Sequence, residues 1–162
     1  MNDFYKEYDV PQDLQFKTAD IIRMGGLVCS AQLSPKYFED IFTPPHKITR
    51  VNIEISFSVA AKEILARGKI LGEREVECAR CLAHAVQPFA EEFLETYSNK
   101  LEIIDIMLLV RQTLALTEDI QFLCRPDCKG LCPYCGVDLN KSSCNCKPEN
   151  LSPFVVLKGK FK

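Results

Sequence analysis

The sequence predicts an α+β fold in which an antiparallel sheet is packed by a helix and followed by a C-terminal cysteine-rich appendage. Three observations predict it. Residues 51–59 alternate apolar and polar side chains without a fault, as a strand with one buried face does. Residues 103–116 place Ile106, Leu109, Val110, Thr113 and Leu114 on one face of a helix. Beyond Phe122, cysteines, glycines and prolines replace periodic apolar residues. The boundary falls near Cys124, with an α+β domain at 1–123 and an appendage with a basic tail at 124–162.

The other elements follow in order. Residues 1–33 carry only short apolar stretches, such as Gly26-Leu27-Val28-Cys29. A short helix is expected over 34–42: Ser34 suits an N-cap, Pro35 suits the first helical position, and Phe38, Ile41 and Phe42 share a face. Thr43-Pro44-Pro45 ends it. Residues 64–78 alternate more loosely and contain Gly68 and Gly72, which are expected to mark bulges or a bend. Residues 86–97 fit a third strand, because short connections usually join antiparallel neighbours.

The chain has 162 residues, 47% hydrophobic and 26% charged, which is ordinary for a globular protein of one domain, or one domain plus an appendage. A core of that size needs no disulfides. The N-terminus has neither the basic region nor the apolar region of a secretory signal. The longest apolar run, 106–110, is far too short to cross a bilayer. The expected location is therefore a reducing cytoplasm. There, clustered cysteines point to metal or redox chemistry rather than disulfides.

Eight of the nine cysteines are clustered: Cys78-Ala79-Arg80-Cys81, then Cys124, Cys128, Cys132 and Cys135, then Cys144-Asn145-Cys146. Zinc takes four ligands tetrahedrally, and thiolates two residues apart on a tight turn reach one ion from one side. Cys132-Pro133-Tyr134-Cys135-Gly136 is such a turn, since glycine permits the positive φ that aims backbone N–H groups at sulfur. Eight cysteines make two sets of four, hence two Zn2+ ions. The favoured partition joins Cys132 and Cys135 to Cys144 and Cys146, and Cys124 and Cys128 to Cys78 and Cys81. A competing partition gives one ion to Cys124, Cys128, Cys132 and Cys135, and spacing leaves both open. Cys29, the remaining cysteine, reads as a small buried hydrophobe. A thioredoxin-like use of Cys78 and Cys81 would need a helix opening after a strand in a βαβ unit, and none is visible.

Nothing in the sequence supports catalysis. All-cysteine sites are closed and build structure, whereas catalytic zinc keeps an open position. There is no phosphate-binding glycine loop, no H-E-x-x-H and no G-x-S-x-G. The two histidines, His46 and His84, read as surface residues, and the runs at Glu73, Glu75, Glu77 and at Glu91, Glu92, Glu95 read as solvated faces. Charge is split. Residues 1–123 hold 13 Lys/Arg against 19 Asp/Glu, whereas 124–162 hold 7 against 3. The basic end invites RNA contact through Arg125, Lys129, Lys141, Lys147, Lys158, Lys160 and Lys162. Two centres of four thiolates on a divalent ion would offset that positive balance, so electrostatics permits RNA without demanding it.

At the cysteine clusters the sequence resembles the bacterial YceD family, which is linked to accumulation of large-subunit ribosomal RNA. Cys78-Ala79-Arg80-Cys81-Leu82 resembles the family's C-x-R-C-L signature. The stretch from Leu123 through Cys132-Pro133-Tyr134-Cys135-Gly136-Val137-Asp138-Leu139-Asn140 to Cys144-Asn145-Cys146 resembles its most specific segment, and Phe154-Val155-Val156-Leu157-Lys158 its usual tail. The resemblance covers roughly residues 50–162. Thr117-Glu118-Asp119 departs from it, because relatives usually carry proline just after the helix. The resemblance implies a cytoplasmic, non-catalytic ribosome biogenesis factor acting on synthesis, processing or stability of large-subunit (23S) RNA. Some relatives lack most of these cysteines, which implies that zinc serves the fold. The implied partner is ribosomal RNA, a large-subunit ribosomal protein or an assembly intermediate, with no membrane and no small-molecule substrate. The alternative is a protein-interaction module whose acidic surface binds a basic ribosomal protein.

Overall fold

The computed structural model describes residues 10–117 and 121–146. Its centre is a meander of three long strands, β3 (Lys47–Val59), β4 (Glu63–Glu77) and β5 (His84–Ser98). A fourth strand, β2 (Gly26–Leu33), pairs with β3, giving the order β2-β3-β4-β5 with every pairing antiparallel. A separate ribbon joins β1 (Gln15–Lys17) to β6 (Ile103–Asp105). Among the described residues, two α-helices complete the fold, α1 (Thr18–Met24) and α2 (Ile106–Ala115).

Alternation explains the sheet. Val51, Ile53, Ile55 and Phe57 of β3 are buried, as are Ile64, Ala66 and Ile70 of β4 and Leu27 and Leu33 of β2. Phe16 of β1, Ile104 of β6 and Ile106, Val110 and Leu114 of α2 enter the same core. Phe16 and Phe57 meet there with ring centroids 4.9 Å apart. Each of the Val, Leu, Ile and Phe side chains among these contributes roughly 1.5–3 kcal/mol by leaving water. Cys29 belongs to this core, and burial raises its thiol pKa to about 11.

Three local expectations are corrected, and one unassigned segment gains an element. Residues 34–42 form no full helix, only a 3-10 turn at Pro35–Phe38, and the Ser34 side chain makes no cap bond. Phe38 and Phe42 are nevertheless buried. The segment from Gly26, for which the sequence suggests no element, is a full strand whose period is masked by apolar Val28 on the outer face and by small Cys29 and Ala31 on the inner one. Residues 103–105 pair with β1 before the helix begins, and Asp105 Oδ1 accepts from Leu108 N at 3.2 Å as the N-cap. Gly68 and Gly72 mark no bulge. The register shift in the β3–β4 pairing lies between Ile48 and Arg50. The two glycines instead seat the rings of Phe93 and Phe89, their partners on β5.

Arg74 fastens the end of α2 to the sheet. It is 6% exposed, its Nε donates to Gln87 Oε1 at 3.0 Å, and its Nη1 donates to the Thr117 carbonyl at 2.8 Å. A cation at a helix C-terminus meets carbonyls left without helical partners. The helix stops at Ala115, with Leu116 as its cap. The rest of the Thr117-Glu118-Asp119 departure lies outside the described residues.

The two glycines make a graded test. A Cβ at Gly68 would lie 2.0 Å from the Phe93 ring, whereas one at Gly72 would meet the Arg50 carbonyl at 2.3 Å as well as the Phe89 ring. A ring can yield and backbone cannot. Gly68→Ala should cost about 1–3 kcal/mol in urea unfolding, and Gly72→Ala should cost more. Equal or negligible losses would contradict the close approach.

Candidate metal centres

The turn between β4 and β5, residues 78–83, carries the first cysteine pair. On a continuing strand Cys78 and Cys81 would face opposite ways. Here the chain folds back: Cys78 N donates to Ala83 O at 2.9 Å and Leu82 N to Cys78 O at 2.9 Å. Residues 132–137 repeat the pattern, with Cys132 N donating to Val137 O at 2.8 Å and Gly136 N to Cys132 O at 2.9 Å. Both turns need positive φ at the residue after the second cysteine, 72° at Gly136 and 57° at Leu82. The glycine was legible in the sequence, but its counterpart at Leu82 was not, because leucine seldom adopts that conformation.

Folding gathers the eight clustered thiols into two groups of four. One is Cys78, Cys81, Cys124 and Cys128; the other is Cys132, Cys135, Cys144 and Cys146. Within each group the sulfur atoms lie inside 4.8 Å of one another. Of the two partitions left open by spacing, this geometry selects the first. Cys78 Sγ is 3.8 Å from Cys128 Sγ, and Cys81 Sγ is 3.6 Å from Cys124 Sγ. A tetrahedron of thiolates with metal–sulfur bonds of about 2.3 Å has edges of about 3.8 Å. The spacing fits a four-coordinate ion. Neither His46 nor His84 belongs to either group.

The electrostatics of the two turns also match. At Cys78, burial opposes ionisation, but N–H groups of Cys124, Arg80 and Cys81 outweigh it and lower the pKa to about 6. At Cys132, the N–H groups of Cys135 and Tyr134 lower it to about 6 against burial. Two other thiols shift the opposite way. Cys81 and burial push Cys124 up to about 12, and Cys135 and burial push Cys146 up to about 12. Four clustered thiols cannot all ionise alone, and a divalent cation in their midst reverses this.

Residues outside the cysteines build the rest. Arg80 Nη1 donates to Cys128 O at 2.9 Å, and its own carbonyl accepts from Leu131 N at 3.0 Å. Ala79 N donates to Phe122 O at 2.9 Å. These bonds hold the two halves of the first group together. Leu131 also bridges to Asp138 across the second loop. Asp138 and Asn140 were not expected as site residues. Their traces in the sequence are their place between the cysteine pairs and within the stretch that resembles the family's most specific segment.

The residues proposed to contact RNA are only partly described. Arg125 Nη2 donates to Asn140 Oδ1 at 2.6 Å, and Arg125 Nε lies 3.6 Å from Asp127. Lys141 Nζ lies 3.5 Å from Asp138, and Lys129 is exposed. Lys147, Lys158, Lys160 and Lys162 lie outside the described residues. On the sheet, Glu73 pairs with Arg50 at 2.9 Å and Glu75 with Lys47 at 3.0 Å, while Glu77 lies 3.9 Å from His84.

Residues 99–159 match the family described as large ribosomal RNA subunit accumulation protein YceD. That segment covers α2 and the cysteines from Cys124 onward. The turn at Cys78 and Cys81 lies outside it, so the matched span is shorter than the resemblance noted in the sequence. A curated protein of Zea mays, "Large ribosomal RNA subunit accumulation protein YCED homolog 1, chloroplastic", is 47% identical over 60 residues. The alignment covers 36% of this chain and spans about a fifth (20%) of the relative's length. No solved structure matches.

Two glycines separate turn strain from packing. Gly136 has φ 72° and nothing within 4 Å of an added Cβ, whereas Gly130 has φ 76° and an added Cβ 2.9 Å from Arg80 O. Gly136→Ala should cost about 1–2 kcal/mol from its left-handed backbone alone. Gly130→Ala should cost distinctly more in thermal unfolding, because it also pushes the loop off Arg80. Equal losses would show that the Arg80 contact contributes nothing.

Proposed function

We propose that this chain, which belongs to the YceD family by its residues 99–159, supports large-subunit ribosomal RNA as a non-catalytic factor built on two structural zinc ions. The observation that carries the zinc reading is the meeting of eight thiols, from three separate clusters, as two sets of four whose sulfur atoms lie within 4.8 Å of one another. Closed all-thiolate sets suit zinc and leave no position for substrate. Cys78, Cys81, Cys124 and Cys128 would hold one ion, and Cys132, Cys135, Cys144 and Cys146 the other. Zinc there supplies cross-links between segments that otherwise have few apolar contacts.

The RNA reading places contacts on Arg125, Lys129, Lys141, Lys147, Lys158, Lys160 and Lys162, beside a rigid zinc scaffold. The opposing reading gives the working surface to Glu73, Glu75 and Glu77, facing a basic protein. Ion pairing of Glu73 and Glu75 within the sheet weighs against it, since each carboxylate already faces a cation. We also place the protein in the cytoplasm, where thiolates stay reduced. Among the described residues no helix is long and apolar enough to cross a membrane. The maize relative is named chloroplastic.

Elemental analysis of protein purified without added metal should give two zinc ions per chain; one or fewer would remove the two-centre reading. Replacing Lys158, Lys160 and Lys162 by Gln should flatten the salt dependence of RNA binding by about 0.7–0.9 log units per lost phosphate contact. It should also lower mature large-subunit RNA in cells without releasing zinc. Unchanged RNA levels, with nuclease-resistant capture of a basic ribosomal protein, would instead favour the protein-partner reading.

A further inference from the structure

We infer that Asn140 couples the two metal centres, as an amide carried by the loop of the second that holds a thiolate of the first, so that filling either centre favours filling the other. The inference rests on the metal reading above and adds a dependence between sites that the ligand sets alone do not contain.

Asn140 lies in the segment between Cys135 and Cys144, and so between the two ligand pairs of the second centre. Its Nδ2 nevertheless donates to Cys128 Sγ of the first, at 3.4 Å. The same Nδ2 donates to Asp138 Oδ1 at 2.8 Å. Its Oδ1 accepts from Arg125 Nη2 at 2.6 Å and from Lys129 N at 2.8 Å. An amide has two N–H donors and one oxygen with two lone pairs, and here all four are used. The orientation is thereby fixed, since a flipped amide would set N–H against the donors of Arg125 and Lys129, and oxygen against a thiolate and a carboxylate. Aspartate has the same shape but no N–H, so it would place oxygen toward Cys128 and Asp138. Glutamine would overshoot by a methylene.

The loop is held to this position from both sides. Asp138 Oδ1 accepts from Asn140 N at 2.9 Å, and Asp138 O from Lys141 N at 3.0 Å. Leu139 N donates to Gly130 O at 3.0 Å, which lays the loop against the segment following Cys128. An ion holding Cys132, Cys135, Cys144 and Cys146 closes this loop at both ends. Without it the ends can part, and Cys128 loses its donor. N–H groups aimed at metal-bound thiolates offset their negative charge, and losing such outer partners typically weakens metal binding about 10–100-fold. By linkage the effect is reciprocal, so the first centre must favour the second by the same factor.

Native mass spectrometry of the full-length chain given one equivalent of zinc tests this directly. The parent chain should show mainly metal-free and two-zinc species. Asn140→Asp and Asn140→Ala should accumulate the one-zinc species, and should yield half their zinc to a competing chelator at a concentration about 10–100-fold lower. Amide protection of β3, which lies far from Asn140 in sequence, reports that the sheet is intact. A one-zinc species dominant in the parent chain, or the same distribution in parent and both variants, overturns the coupling and leaves the zinc reading standing. A parent chain that takes up no zinc at all overturns the zinc reading itself.

Discussion

The turn joining β4 to β5 is the constraint on which the C-terminal third depends. It lies at the end of a long hairpin whose register is fixed by fifteen-residue strands and by the seating of Phe93 and Phe89 on glycines. That rigidity presents Cys78 and Cys81 in one place. Arg80, between them, contacts the other half of the site twice, through its guanidinium to Cys128 O and through its carbonyl to Leu131 N. Among the described residues, 124–146 have one isolated bridge, Leu131 to Asp138, in place of regular strands. Its position is inherited from the hairpin.

This arrangement blurs the division into a sheet and an appendage that composition suggests. The first thiol group draws two members from the sheet's hairpin and two from the cysteine-rich segment, with Phe122, Leu123 and Leu131 packed against it. Metal binding here would act as a long-range cross-link, closing a loop of more than forty residues between Cys81 and Cys124. The second group is local and closes a short loop. Asn140 then makes the local closure matter to the long-range one.

Electrostatics ties the same features to function. A centre with four thiolates and one divalent ion remains anionic, and the N–H groups around Cys78 and Cys132 offset part of that charge. Arg125 is engaged by Asn140 and Asp127, and Lys141 by Asp138. Some of the positive balance that the sequence shows in this region therefore serves the scaffold. The cations left for an anionic partner are fewer than a count of Lys and Arg suggests, which places greater weight on the tail lysines in the RNA reading.

Much was determined by the sequence itself. The period-two run through Val51, Ile53, Ile55 and Phe57, the helical face of Ile106, Val110 and Leu114, and the spacing of eight cysteines are local patterns, and each reports local geometry. Cys132-Pro133-Tyr134-Cys135-Gly136 announced its turn because glycine marks positive φ. The tertiary structure alone decided the rest. Leu82 takes the same conformation without any marker, since hydrogen bonds across the hairpin impose it. The partition of the thiols depended on which segments meet in space, and Cys78 and Cys124 are too far apart in sequence for spacing to speak. The strand at Gly26 and the seats at Gly68 and Gly72 depend on partners in other strands. Asn140 is the extreme case, because one of its four bonds reaches a thiol of the first group from the loop of the second, and the resemblance that covers its stretch does not reveal that bond.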